Sequence, residues 1–159
     1  MVVLLLLTIC IFLSLLCPLP AWASPEEASS LRLVQGEWAH EVRGMDDYDP
    51  NPEGRFKRGE RGYAYIVVEG FDVGQDGEYY FLHLSVDVAL ETKGGIRLFS
   101  RRDIYDLEEW YLEPPGDTWF YIYVDIPWWA PRGTYVAVIT IHDLLAGTAL
   151  EERREVAVY

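Results

Sequence analysis

The stretch Tyr79-Tyr80-Phe81-Leu82-His83-Leu84-Ser85-Val86-Asp87-Val88-Ala89-Leu90 decides the fold class. Tyr80, Leu82, Leu84, Val86, Val88 and Leu90 recur at every second position. His83, Ser85 and Asp87 fall between them. A period of two places the apolar set on one face of a β-strand, and a helix would scatter it. Upstream, Tyr63 to Phe71 is a nearly continuous apolar run, as expected of a strand covered on both sides. Gly74-Gln75-Asp76-Gly77 between the two is a turn sequence.

Downstream the same grammar continues. Lys93-Gly94-Gly95 predicts a turn and Ile96 to Phe99 a short strand. Arg101 to Glu113 fits either an irregular edge strand or a single helical turn, and Pro114-Pro115-Gly116 ends it. In Thr118 to Ile126, Phe120, Ile122, Val124 and Ile126 alternate with Trp119, Tyr121, Tyr123 and Asp125. Pro127 to Gly133 reads as a crossing loop. Tyr135, Ala137, Ile139 and Ile141 form the next inward face, Ala146-Gly147 a turn, and Val156 and Val158 one face of the last strand. Trp38 to Val42 supplies a first strand. About seven short strands with frequent turns predict an all-β, antiparallel β-sandwich over 35–159. No helix-period segment is long enough to cover a parallel sheet.

The amino-terminal part reads differently. Met1 to Leu16 is almost wholly apolar and uncharged. Pro18 and Pro20 interrupt it, and Ala21-Trp22-Ala23 follows with small residues at the spacing signal peptidase uses. Residues 1–23 are therefore expected to be a signal peptide and 24–34 a linker. The alternative is an uncleaved membrane anchor, although the run meets a proline sooner than a span of about 20 residues allows. Leu16 before Cys17 is too large for a lipoprotein signal. Cleavage after Ala23 removes Cys10 and Cys17, and leaves no thiol for a disulfide or for chemistry.

The 159-residue chain carries 26 acidic against 13 basic side chains, a net charge of −13. Such a surface repels nucleic-acid phosphates and anionic lipid. Neither nucleic-acid binding nor membrane insertion after cleavage is expected, and a protein or glycan partner is favoured over a small molecule.

The final third resembles the close of immunoglobulin-like β-sandwich domains of uncharacterised bacterial secreted and envelope proteins. Its marks are Pro131, Gly133 and Tyr135, the alternating Ala137, Ile139 and Ile141, then Asp143, Gly147 and the strand ending at Tyr159. Phe56, Gly59 and Glu60 are similar to the lead-in of such domains, and Gly70-Phe71 matches as well. The resemblance implies the fold and export, and it lends no catalytic residue. Physically, Tyr135 can bury its ring while its hydroxyl bonds loop backbone, as in a tyrosine corner.

Four groups of residues could carry function. Asp46, Asp47, Asp49, Asn51 and Glu53 cluster oxygen donors. However, Pro52 stands where a calcium loop needs Gly and Arg58 where it needs Glu, so a solvated acidic loop is expected. His40, His83 and His142 lack metal-ligand spacing. His142-Asp143 is not a catalytic pair, because neighbours in a strand point to opposite faces. Trp128-Trp129, in a proline-bounded loop, and Trp119, Tyr121 and Tyr123, on one strand face, form the candidate recognition surface, suited to a protein or a sugar. The competing reading buries that stripe under a second layer. Arg55, Lys57, Arg58 and Arg61 form a basic cluster, read as a solvated strand edge or as an anion site. No catalytic, metal or cofactor residue is assigned. The sequence predicts a non-enzymatic structural or protein-interaction module of the envelope, with a carbohydrate-binding module as the alternative and a metal-dependent protein third.

Overall fold

The computed structural model describes residues 31–159, so the expected signal peptide and both cysteines lie outside the described residues. Ten strands follow in order: β1 (Arg32–Gly44), β2 (Asp47–Pro50), β3 (Arg55–Phe56), β4 (Arg61–Glu69), β5 (Gly74–Asp76), β6 (Tyr79–Thr92), β7 (Arg97–Tyr111), β8 (Asp117–Asp125), β9 (Gly133–Asp143) and β10 (Thr148–Val158). One sheet runs β2-β1-β4-β8. The other runs β3-β10-β9-β6, with β5 and β7 also paired to β6. Neighbours are antiparallel except β3, which lies parallel to β10. The chain visits the second sheet briefly at β3, returns at β4, crosses again at the β5–β6 hairpin, returns at β8 and leaves once more at β9, the repeated exchange between layers of a β-sandwich.

Alternation explains the layers. Ala64, Ile66 and Val68 of β4 and Phe120 and Ile122 of β8 face Leu82, Leu84, Val86 and Val88 of β6 and Ile139 and Ile141 of β9 across one core. In register, Val86 stands opposite Ile141, Val88 opposite Ile139 and Ile66 opposite Phe120. Each such aliphatic side chain contributes about 2 kcal/mol when wholly withdrawn from water. Trp38 crosses between the layers. Its indole N–H donates to the Glu155 carbonyl at 3.0 Å and its ring meets Phe56 edge-on. Gly54, at φ +57°, lets the chain pass this indole, because a Cβ there would sit 2.6 Å from Trp38 Cδ1.

The strand count exceeds the expected seven. β3 is only two residues long, and β2 and β5 are short and rich in Pro, Gly and Asp, so none shows alternation, and they are strands because a neighbouring edge pairs with them. The segments Ile96–Phe99 and Arg101–Glu113, expected apart, belong mostly to one long strand, β7. A bulge around Asp103, at φ +49°, interrupts its pairing with β6 between Val88 and Val86. That bulge broke the sequence pattern. β1 begins at Arg32, inside the segment expected to be linker.

The tyrosine corner is present. The Tyr135 hydroxyl donates to the Pro131 carbonyl at 2.8 Å. At the other end of β9, Asp143 is 1% exposed. Its carboxylate accepts from the backbone N–H of Asp72 at 2.6 Å and from those of Leu145 and Ala146 at 3.0 Å.

Candidate functional site

β4 and β8 lie side by side, with Tyr63 opposite Tyr123, Tyr65 opposite Tyr121 and Val67 opposite Trp119. The inward set builds the core, so these side chains form the outer face of the first sheet. The face is divided. The β1–β2 hairpin curls over one half, where Tyr48 stacks on Tyr65 at 4.5 Å and Tyr65 on Trp119 at 5.8 Å. The Asp46 N–H donates to the Tyr65 hydroxyl at 3.3 Å, and the Tyr48 hydroxyl donates to Glu37 at 2.9 Å. Burial, and then the Glu37 carboxylate, push the Tyr48 hydroxyl above its ordinary pKa. β4 is thus covered on both sides around Tyr65, and Trp119 is half-buried within this stack.

Tyr121 and Tyr123 lie on the open half. β8 is an edge strand, and no described strand packs over them. Tyr63 sits 6.0 Å from each. The Arg61 guanidinium rests 4.1 Å above the Tyr123 ring while gripping Asp125 at 2.7 and 3.2 Å. That grip holds the Asp125 carboxyl below its usual range.

The chain then leaves β8 into the proline-bounded loop. Ile126 is pinned to the turn after β3: its N–H donates to Glu60 O at 2.9 Å and its carbonyl accepts from Gly59 N–H at 2.8 Å. Ala130 N–H closes back on Pro127 O at 3.0 Å, and Tyr135 fastens the far end. On this loop Trp128 and Trp129 are 77% and 65% exposed.

These anchors bring together two groups that are separate in sequence. Lys57, Arg58, Trp128, Arg132 and Tyr159 line one open cleft of about 410 Å³ at the end of the sandwich. Trp129 is exposed nearby without lining it. Around the cleft, Arg55 pairs with Glu53 at 3.5 Å and lies 5.0 Å over the Tyr159 ring, and Lys57 pairs with Glu60 at 3.6 Å. Arg58 and Arg132 have no carboxylate partner among the described residues. Arg132 and Tyr159 were missed in sequence. The only signal for Arg132 was its place between Pro131 and Gly133, and Tyr159 is brought in by the β3–β10 pairing.

The other groups disperse. Asp47 is taken by Arg43 at 2.6 Å, and Asn51 bonds Arg55 backbone through both side-chain atoms. Among the described residues no three His, Cys, Asp or Glu side chains converge in a way that could hold a metal ion. His40 meets Phe56, His83 bonds Asp106 at 2.8 Å and His142 bonds Asp87 at 3.2 Å, so no two histidines share a centre. Ser85 stands opposite His142 in register, yet its hydroxyl donates to Asp103 at 3.2 Å and it is buried.

No protein-family model matches the sequence, and no curated protein matches it. Among solved structures, the C-terminal domain of Wzt is similar, with a TM-score of 0.51 and 11% identity, over 83% of this chain and 75% of that one. The alkylpurine DNA glycosylase AlkC of Pseudomonas fluorescens, solved bound to DNA with an abasic-site analogue, gives 0.49 at 12% identity. The match covers 82% of this chain, which spans only 30% of the AlkC chain. At such identities the likeness to Wzt shows a shared fold alone.

Proposed function

We propose that this chain is an exported, non-enzymatic β-sandwich module of the cell envelope that works by recognition, with Trp128 and Trp129 at the centre of its contact surface. The observation that carries this reading is the exposure of both indoles on a loop tied down at each end, when large aromatics ordinarily find burial. The apolar run and Ala21-Trp22-Ala23 support export. Tyr121 and Tyr123 extend the surface along β8, and Trp119 supports it from within the stack.

A glycan is the partner class best supported, as against a protein. Trp, Tyr and Arg serve protein interfaces as well, so the preference for a glycan rests on the lysine, which such interfaces deplete, and on the clustering of cations around an open ring face. Here a single indole stands among Lys57, Arg58 and Arg132 in an open cleft. A flat ring offers an apolar face to sugar C–H groups, and the surrounding donors suit hydroxyls.

Acrylamide quenching of tryptophan fluorescence, on protein recovered after expression of the full chain, tests the reading. Trp128 and Trp129, with Trp110 on β7 as a third exposed indole, supply the quenchable emission, and a bound partner shields the first two. A Trp128→Ala, Trp129→Ala double variant that quenches like the wild type would overturn the proposed surface.

A further inference from the structure

We propose that the cleft formed by Lys57, Arg58, Arg132, Trp128 and Tyr159 binds an acidic saccharide, a chain of sugar rings bearing carboxylate or sulfate groups. This rests on the recognition reading above and adds the ligand's charge.

Three cations line the cleft. Lys57 has Glu60 within reach, but Arg58 and Arg132 have no carboxylate among the described residues. In a chain of net charge −13, two unpaired guanidiniums facing one depression are a local reversal of sign. Arg43, Arg61, Arg97, Arg153 and Arg154 reach carboxylates, whereas among the described residues Arg101 and Arg102 on β7 have no such ion pair either, so what marks Arg58 and Arg132 is that both line one depression beside Lys57. The overall negative charge does not cancel the cleft's field, because salt screens charges beyond about 8 Å at physiological ionic strength.

The geometry also selects what carries the anion. Guanidinium presents a planar fork that matches a carboxylate or sulfate edge through paired N–H donors. Trp128 supplies a flat apolar face at the same cleft, and the Tyr159 ring, backed by Arg55, supplies another. A ligand with a ring and an acidic substituent satisfies both features. A bare inorganic anion uses the cations alone, and a neutral sugar uses the rings alone. The cleft is open and about 410 Å³ in volume, so a polymer can lie across it with one or two residues seated.

The test is binding of polygalacturonate, dextran sulfate, neutral dextran and poly-glutamate, followed by tryptophan fluorescence and by co-sedimentation. An Arg58→Ala, Arg132→Ala double variant is compared with the wild type, and circular dichroism checks its fold. One acidic polysaccharide is expected to bind at least tenfold more tightly than neutral dextran and poly-glutamate. Its affinity should fall with added salt and drop on the order of a hundredfold in the double variant, about tenfold for each charge-assisted contact. Trp128→Ala should weaken the same ligand, while Arg58→Lys, Arg132→Lys retains part of the binding. Equal binding of neutral and acidic dextrans, unchanged by the arginine substitutions, would overturn the inference and leave glycan recognition standing. Poly-glutamate binding as tightly as the acidic polysaccharide would reduce the site to a charge contact and overturn the saccharide assignment. No binding of any polysaccharide, with the tryptophans still quenchable, would overturn the inference and leave protein recognition.

Discussion

Replacing Asp143 with Ala removes the group that joins the β4–β5 connection to the β9–β10 turn. The carboxylate accepts three backbone N–H donors, those of Asp72, Leu145 and Ala146, and is 1% exposed. A hydrogen bond to a charged group is worth about 1.5–3 kcal/mol. The turn amides at Leu145 and Ala146 lie near the surface, so water recovers part of their loss. Counting about 2 kcal/mol for the Asp72 bond and about 0.5 kcal/mol for each of the others, Asp143→Ala should cost about 3 kcal/mol. With a urea m-value of about 2 kcal/mol/M, the midpoint falls by roughly 1.5 M and the slope is unchanged. Asp143→Asn keeps one acceptor but turns an amide N–H₂ toward a donor, and should recover less than half of the loss. Asp143 lies at the opposite end of β9 from Gly133, about 30 Å from the cleft end by strand rise, so tryptophan quenching should not change. A loss below about 1 kcal/mol in Asp143→Ala, or a neutral Asp143→Asn, would refute the claim that this carboxylate holds the two connections together.

Three further outcomes are expected. Tyr135→Phe forfeits the hydroxyl bond to Pro131 and should lower stability by about 1 kcal/mol in the same titration, with more acrylamide access to the loop tryptophans. Arg153, and then Arg97, hold the Glu91 carboxyl below its ordinary value of 4.5. The stability that pairing contributes is complete above that ordinary value and is lost as pH falls through the lower folded value. The gap between wild type and Glu91→Gln in thermal melts should therefore narrow on acidification, and a gap independent of pH would argue against it. Burial first, and then the Glu109 carboxylate, push the Tyr111 hydroxyl up to about 12. The folded state thus loses stability as pH rises from the ordinary tyrosine value of 10 toward 12, and absorbance titration of Tyr111→Phe against wild type should remove one late-ionising phenol.

The inner faces of β6, β8 and β9 were legible because burial on one side imposes a period of two on the residues themselves, whereas β4 showed only as a continuous apolar run. The tyrosine corner was legible too, since Pro131, Gly133 and Tyr135 interact over a few residues. Pairing between distant residues leaves no such trace. The parallel match of Arg55 with Ala157 and the bonds of Ile126 to Gly59 and Glu60 depend on chain segments far apart, and no local pattern records them. Those contacts carry the Lys57–Arg58 turn to Trp128, so the basic cluster and the tryptophan pair, each visible in sequence, could not be read there as one cleft. Alternation in β8 also gave Trp119, Tyr121 and Tyr123 as one stripe. It could not say that the β1–β2 hairpin covers only the Trp119 end.

The bonds at both ends of the Trp128-Trp129 loop have a consequence for affinity. A flexible loop surrenders conformational entropy when it closes on a ligand, commonly about 0.5–1.5 kcal/mol for each side chain immobilised. This loop is already fixed at Ile126, Ala130 and Tyr135 by its own hydrogen bonds, with prolines at 127 and 131. Its backbone has little disorder left to lose, so the ordering cost that remains is that of the two indole side chains. The anchors belong to the scaffold, so the exposed side chains between them can be exchanged without disturbing the sandwich. The loop is in effect a cassette in which one fold could present different specificities.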